Sequence, residues 1–125
     1  MKKVLFPTDD PAGLSARRGA HFGKARYYTI AVVDGENQVR DVLYVPNPGH
    51  KAGGCSNAVA NIKSLEADAL VVSGIGANPL RGFLEEGITV YHDSANPTVE
   101  RSLSAFLSGG LHPIRPEQAC GNHAH

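Results

Sequence analysis

The sequence has no excess of charge of either sign, few cysteines and only a short apolar run at its start, and each shortage removes a class of function. Twelve basic residues offset twelve acidic ones, so no overall field draws the chain to nucleic acid or to an anionic membrane surface. The run Val4-Leu5-Phe6 stops at Pro7, far short of a secretory core or a membrane span. The expectation is a cytoplasmic protein with no nucleic-acid or membrane partner. Cys55 and Cys120 are the only cysteines. Neither belongs to a Cys-x-x-Cys pair, which argues against a closed structural zinc site, and in a reducing compartment they are thiols rather than a disulfide. Enzyme signatures are missing too. There is no Gly-x-Ser-x-Gly elbow and no His-Glu-x-x-His helix, and Asp9, Asp10, Asp68 and Asp93 lack the spacing of a paired-carboxylate site.

What is present suits one domain: 125 residues, 42% of them hydrophobic. Lys3 to Pro7 reads as a first strand feeding a loop that extends to about Arg26. Tyr27 to Val33 and Val39 to Val45 are β-rich runs around the turn signal Asp34-Gly35, which predicts an antiparallel hairpin. Ala58, Val59, Ile62 and Leu65 share one face of a helix whose approach, Asn47 to Gly54, is all turn residues. Two further helices have matching punctuation. Asn78-Pro79 and Asn96-Pro97 start them, Leu80, Phe83 and Leu84 in one and Val99, Leu103, Phe106 and Leu107 in the other make the buried stripes, and Gly87 and Gly109-Gly110 stop them. Apolar strands at Ala69 to Ser73 and Ile88 to Tyr91 complete the pattern, the two joined by a crossover and therefore parallel. The reading is an α/β domain over residues 1–111, a mixed five-stranded sheet flanked by helices, with 112–125 as a flexible tail containing Cys and His.

Gly74-Ile75-Gly76 follows an apolar strand and opens a helix, a position that offers backbone N-H groups beside the positive end of a helix dipole. Such a turn favours an anion. It is no P-loop, because Phe83-Leu84 rather than Lys and Ser or Thr follows Gly82. Gly74, Gly76 and Asp93 imitate a dinucleotide fingerprint, but the third glycine is displaced and the helix is short. A nucleotide or phosphate ligand on the segment Gly74 to Gly82 stays as an alternative, and so does a purely geometric role for the glycines in a tight strand-to-helix turn.

Thiolate and imidazole are the other chemistry available, and both suit zinc, copper, iron or a metal-sulfur cluster. Cys55 lies at a loop-to-helix junction five residues after His50. It is either a small buried apolar residue or a metal ligand whose thiolate the helix start favours. His21 sits among Arg17, Arg18, Lys24 and Arg26, as a surface residue or as the donor in a cationic pocket. Cys120 and His123, with His125, make the tail either an unstructured end or a small chelator.

Three segments together give the chain a family likeness. Lys3-Val4-Leu5-Phe6-Pro7-Thr8-Asp9, then His21-Phe22-Gly23-Lys24-Ala25 before an aromatic strand, then Gly74-Ile75-Gly76 leading to Gly87-Ile88-Thr89-Val90-Tyr91, resemble the dinitrogenase iron-molybdenum cofactor biosynthesis family. The resemblance implies a ribonuclease H-like fold and non-catalytic handling of a metal-sulfur cluster of the Fe-S, Fe-Mo or Mo-Cu type. It also implies cofactor-assembly or recipient proteins as partners. His21 matches the family's His-Phe-Gly histidine, and Gly74 and Gly76 match its glycine loop; Cys55 and the Cys-His tail match only subsets of members. In such a carrier Arg17, Arg18, Lys24 and Arg81 are candidates for balancing an anionic cargo, or else solvated surface residues.

Overall fold

The computed structural model describes residues 2–19, 25–46, 62–75 and 77–114. Its centre is strand β1 (Lys2–Thr8), whose Val4, Leu5 and Phe6 are fully buried because the sheet is covered on both faces. The first strand pairs antiparallel with β2 (Tyr27–Val33) over its whole length, from Lys2 opposite Val33 to Thr8 opposite Tyr27. On its other side it runs parallel to β4 (Ala69–Val72), with Val4 opposite Ala69 and Leu5 opposite Leu70. The expected hairpin forms between β2 and β3 (Val39–Pro46). Its connection spans 34–38, and Asn37 takes the left-handed conformation there (φ 63°).

The crossover from β4 leads to β5 (Thr89–His92), parallel to it as expected. The sheet does not stop at five strands. A sixth, β6 (His112–Pro113), pairs antiparallel with β5 and gives the order β3-β2-β1-β4-β5-β6. Pro113 argues against a strand in the sequence, but here its missing N-H costs nothing. The Ile114 N-H donates to the Val90 carbonyl at 2.7 Å, so the next pair along, Tyr91 with Pro113, is one that exchanges no backbone hydrogen bonds. Ile114 then turns into the core, 7% exposed.

Helix α1 (Ala77–Glu85) packs Leu80 and Phe83, both fully buried, on one face of the sheet, beside the helical residues 62–64. It begins one residue before the expected Asn78 cap. Pro79 still falls in the first turn, where its lack of an N-H is tolerated. Gly87 ends the segment with φ 79°. Helix α2 (Val99–Leu107) covers the opposite face with Val99 and Leu103, against Val4, Phe6, Ala31 and Val71. Its N-cap is Thr98, which accepts a hydrogen bond from the Arg101 N-H, and not Asn96 as the sequence suggested. Asn96 is engaged elsewhere, with Asp93.

Candidate functional site

Because β1, β4 and β5 are mutually parallel, their carboxyl ends share one edge of the sheet, where open α/β sheets present their ligand sites. Three connections leave from that edge. The first follows β1, where a strap, residues 16–19, is stitched to both β1 and the start of α2. Asp9 N-H donates to Arg17 O (2.8 Å), Gly19 N-H to Pro7 O (2.8 Å), Arg18 N-H to Pro97 O (2.9 Å) and Val99 N-H to Ala16 O (3.1 Å). The Asp10 carboxylate accepts from the Ala12 and Arg17 N-H groups and holds the turn before the strap. Gly19 packs so closely on Ala25 that a Cβ there would lie 3.2 Å from the Ala25 Cβ. Gly19 and Ala25, the described residues on either side of the segment that carries His21, therefore lie next to each other near the end of β1.

The second connection, after β4, together with the last residue of β5 and with β6, frames a cleft of about 410 Å³ lined by Ser73, Gly74, Ile75, His92, His112, Pro113 and Ile114. This volume lies within the range of small-molecule sites. Gly74 and Ile75 lie in the short connection that leads into α1, whose first residue is Ala77, so the positive end of that helix is near the cleft. Residues 77–85 are helical, as the Asn78-Pro79 start and the Gly87 stop predict, so only the beginning of the segment Gly74 to Gly82 precedes the helix and Gly82 lies inside α1. Ser73 is anchored by donating its hydroxyl to the Asp93 carbonyl at 3.2 Å.

Asp93 itself is not available to a ligand. It is 3% exposed, and its Oδ1 accepts the Ala95 and Asn96 N-H groups at 3.0 and 3.1 Å. Its Oδ2 accepts the Ser102 hydroxyl at 2.6 Å and the Asn96 side-chain amide at 2.9 Å, and lies 3.7 Å from Arg18 Nη1. Burial pushes this carboxyl upward, but the hydrogen bonds outweigh it and hold it below the ordinary carboxylate value. An acidic residue so occupied does not serve as the ribose-binding acid of a dinucleotide fingerprint. Arg18 is likewise withdrawn from the surface. Its side chain is 3% exposed and donates from Nη1 to the Asn96 carbonyl at 2.8 Å. Burial lowers its pKa, the Asp93 charge opposes this, and a guanidinium remains protonated regardless.

The other proposed residues divide between described and undescribed parts of the chain. Arg17 and Arg81 are exposed, the first on the strap and the second on α1, and Arg81 does not line the cleft. Gly74 does. His21, Lys24, His50, Cys55, Gly76, Cys120 and His123 lie outside the described residues. Among the described residues no three His, Cys, Asp or Glu side chains gather into a metal-binding group. Sequence reasoning missed His92 and His112 as cleft residues, because only the β5–β6 register places them together. A second cleft, about 530 Å³, lies at the opposite end of the sheet between Lys2, Asp34, Asp68, Tyr91 and Phe106. Its carboxylates already serve the fold: Asp34 accepts from Arg40 at 2.7 Å and Asp68 from the Lys3 N-H at 2.9 Å.

No helix among the described residues is long and apolar enough to cross a membrane. Several solved structures share the fold. The apo orange protein from Desulfovibrio gigas is 23% identical, with 92% of this chain and 98% of that one covered and a TM-score of 0.75. A Thermotoga protein provisionally described as NifB is 25% identical over 90% of this chain and 93% of its own, with a TM-score of 0.71. A protein from Methanocaldococcus jannaschii provisionally described as a dinitrogenase is 20% identical over the same shares, also with a TM-score of 0.71. No functionally curated protein matches the chain. The family model described as dinitrogenase iron-molybdenum cofactor matches residues 2–109, and the chain therefore belongs to that family.

Proposed function

We propose that this protein is a non-catalytic carrier that binds a metal-sulfur cluster at the carboxyl edge of its sheet and passes it to a recipient protein in the cytoplasm. The fold is read as ribonuclease H-like. The observation that carries the proposal is the cleft beside Gly74, which brings the start of α1 and two imidazoles together in a chain of this family. A cluster of the Fe-S, Fe-Mo or Mo-Cu sulfide type is anionic at its sulfides and electrophilic at its metals. The helix end addresses the first property and the histidines the second. A helix dipole contributes only about 0.3–1 kcal/mol per charge at an exposed site, so it orients such a cargo and does not retain it alone. Retention falls to side-chain ligands. His21, Cys55 and His50 are the further candidates on the chain, with Cys120 and His123 in the tail and Arg17 and Arg81 as exposed cations for charge balance. Few ligands and an open cleft suit a protein that must release what it holds.

The helix end is equally the feature that a phosphate-bearing ligand would use, so the test sets the two ligands side by side. Anaerobic reconstitution with iron, molybdate, copper and sulfide is followed by gel filtration and metal analysis, and a thermal-shift series uses ATP, NAD and inorganic phosphate. The carrier reading expects metal and sulfide to co-elute with the protein and no nucleotide to raise its melting temperature. A colourless, metal-free protein stabilised by a nucleotide sinks it.

A further inference from the structure

We infer that His92 and His112 form a two-imidazole site for a divalent transition-metal ion at the mouth of the Gly74 cleft. The two residues are direct partners across the antiparallel pair of β5 and β6, and both line the same cleft. Facing residues on one side of such a pair have Cβ atoms about 4.5–5.5 Å apart. Two rings leaving the sheet side by side from that spacing can converge on one ion at metal-nitrogen distances of about 2.0–2.1 Å. The pairing is reinforced from below. His112 shares its face with Ile114, whose side chain is in the core and whose N-H is bonded to Val90, so β6 is pinned two residues from the histidine.

The surroundings select the ion. Apart from the histidines, the described residues that line the cleft are Ser73, Gly74, Ile75, Pro113 and Ile114, and among them is neither a lysine or arginine to repel a cation nor a carboxylate to recruit a hard one. Neutral imidazole nitrogens in such a setting prefer zinc, nickel or copper over magnesium or calcium. Two protein ligands leave the remaining positions open to water or to an anionic co-ligand. The nearby start of α1 favours the anion. The site stands whether or not the cleft accepts a sulfide cluster, since a bare ion suffices to occupy it.

The test is a zinc titration of the full chain, followed by dialysis stoichiometry and by the imidazole nitrogen and carbon-bound proton resonances of the histidines. Wild type, His92→Gln, His112→Gln and the double variant are compared, with circular dichroism as the check on folding; both positions are exposed, so glutamine fits. The expected result is that the His92 and His112 resonances shift together in wild type. Each single variant then loses one zinc per chain, and the double variant loses no more than either single. Unmoved resonances for these two histidines, or unchanged stoichiometry in the single variants, overturn the site. A double variant that loses two ions overturns the pairing. The cluster-carrier reading is judged separately, because it requires sulfide and this titration contains none.

Discussion

Arg18 and Asp93 face each other 3.7 Å apart with their side chains 3% and 2% exposed, and this pair ties the strap after β1 to the turn after β5. Its partners make the tie rigid: Asn96, Ser102 and the Ala95 amide hold the carboxylate, while the Asn96 carbonyl holds the guanidinium. Arg18 Nε and Nη2 are buried without a hydrogen-bond partner among the described residues. A buried pair of this kind is weak evidence for stability in itself, because desolvation opposes the attraction. Removing one member leaves the other charge stranded.

Asp93→Ala should therefore destabilise the protein by about 3–5 kcal/mol in urea unfolding. Adding Arg18→Met to it should recover part of that loss, since the stranded guanidinium is then gone. Equal destabilisation in the single and double variants would show that the pair is not the source of the effect.

The same carboxylate makes stability acid-sensitive in a definite direction. Its folded value is held below the unfolded one, so its contribution is complete above about pH 4 and is lost as pH falls through the lower, folded value. Asp34 acts in the same sense, held down chiefly by the Gln38 and Glu36 N-H groups and then by Arg40. Urea midpoints measured from about pH 6 down to about pH 3 should fall less steeply in Asp93→Asn than in wild type. Parallel slopes would contradict the assignment.

Thr98→Ala removes the side-chain cap of α2 and should cost about 1 kcal/mol. Asn96→Ala strips two hydrogen-bonding groups from Asp93's surroundings in principle, but its backbone donor survives, so only the side-chain bond at 2.9 Å is lost. Comparing the two by chemical denaturation separates the cap from the Asp93 network.

Leu80→Ala opens a cavity under α1 and should cost about 2–5 kcal/mol. Leu80 stands at the start of the helix near the cleft, so its loss should also loosen Gly74 and Ile75. Faster amide hydrogen exchange at Gly74 and Ile75 than at Val4 and Leu5 in this variant is the expected signature.

The first five strands were legible because each is marked locally, by β-branched runs bounded by turn residues, and the parallel direction of β4 and β5 follows from the crossover. The ends of α1 and α2 were legible through Gly87 and Gly109, both of which adopt the positive φ that glycine permits. Part of what escaped is long-range: nothing near Arg18 in the sequence signals that its partner is Asp93. The use of Asn96 is a local miss, since it bonds the carboxylate three residues before it instead of capping the helix. The sixth strand was hidden behind Pro113, whose harmlessness depends on its register opposite Tyr91. With that strand went the facing of His92 and His112, the part of the candidate site that pairing alone creates.

The central claim is that the chain holds a metal-sulfur cargo, and the most direct measurement is its absorption spectrum after anaerobic purification, with iron, molybdenum, copper and acid-labile sulfide determined on the same sample. The account predicts visible charge-transfer bands with metal and sulfide in fixed ratio to protein, in material isolated from cells or reconstituted with those components. A protein that is spectrally featureless and free of metal and sulfide under both conditions contradicts it.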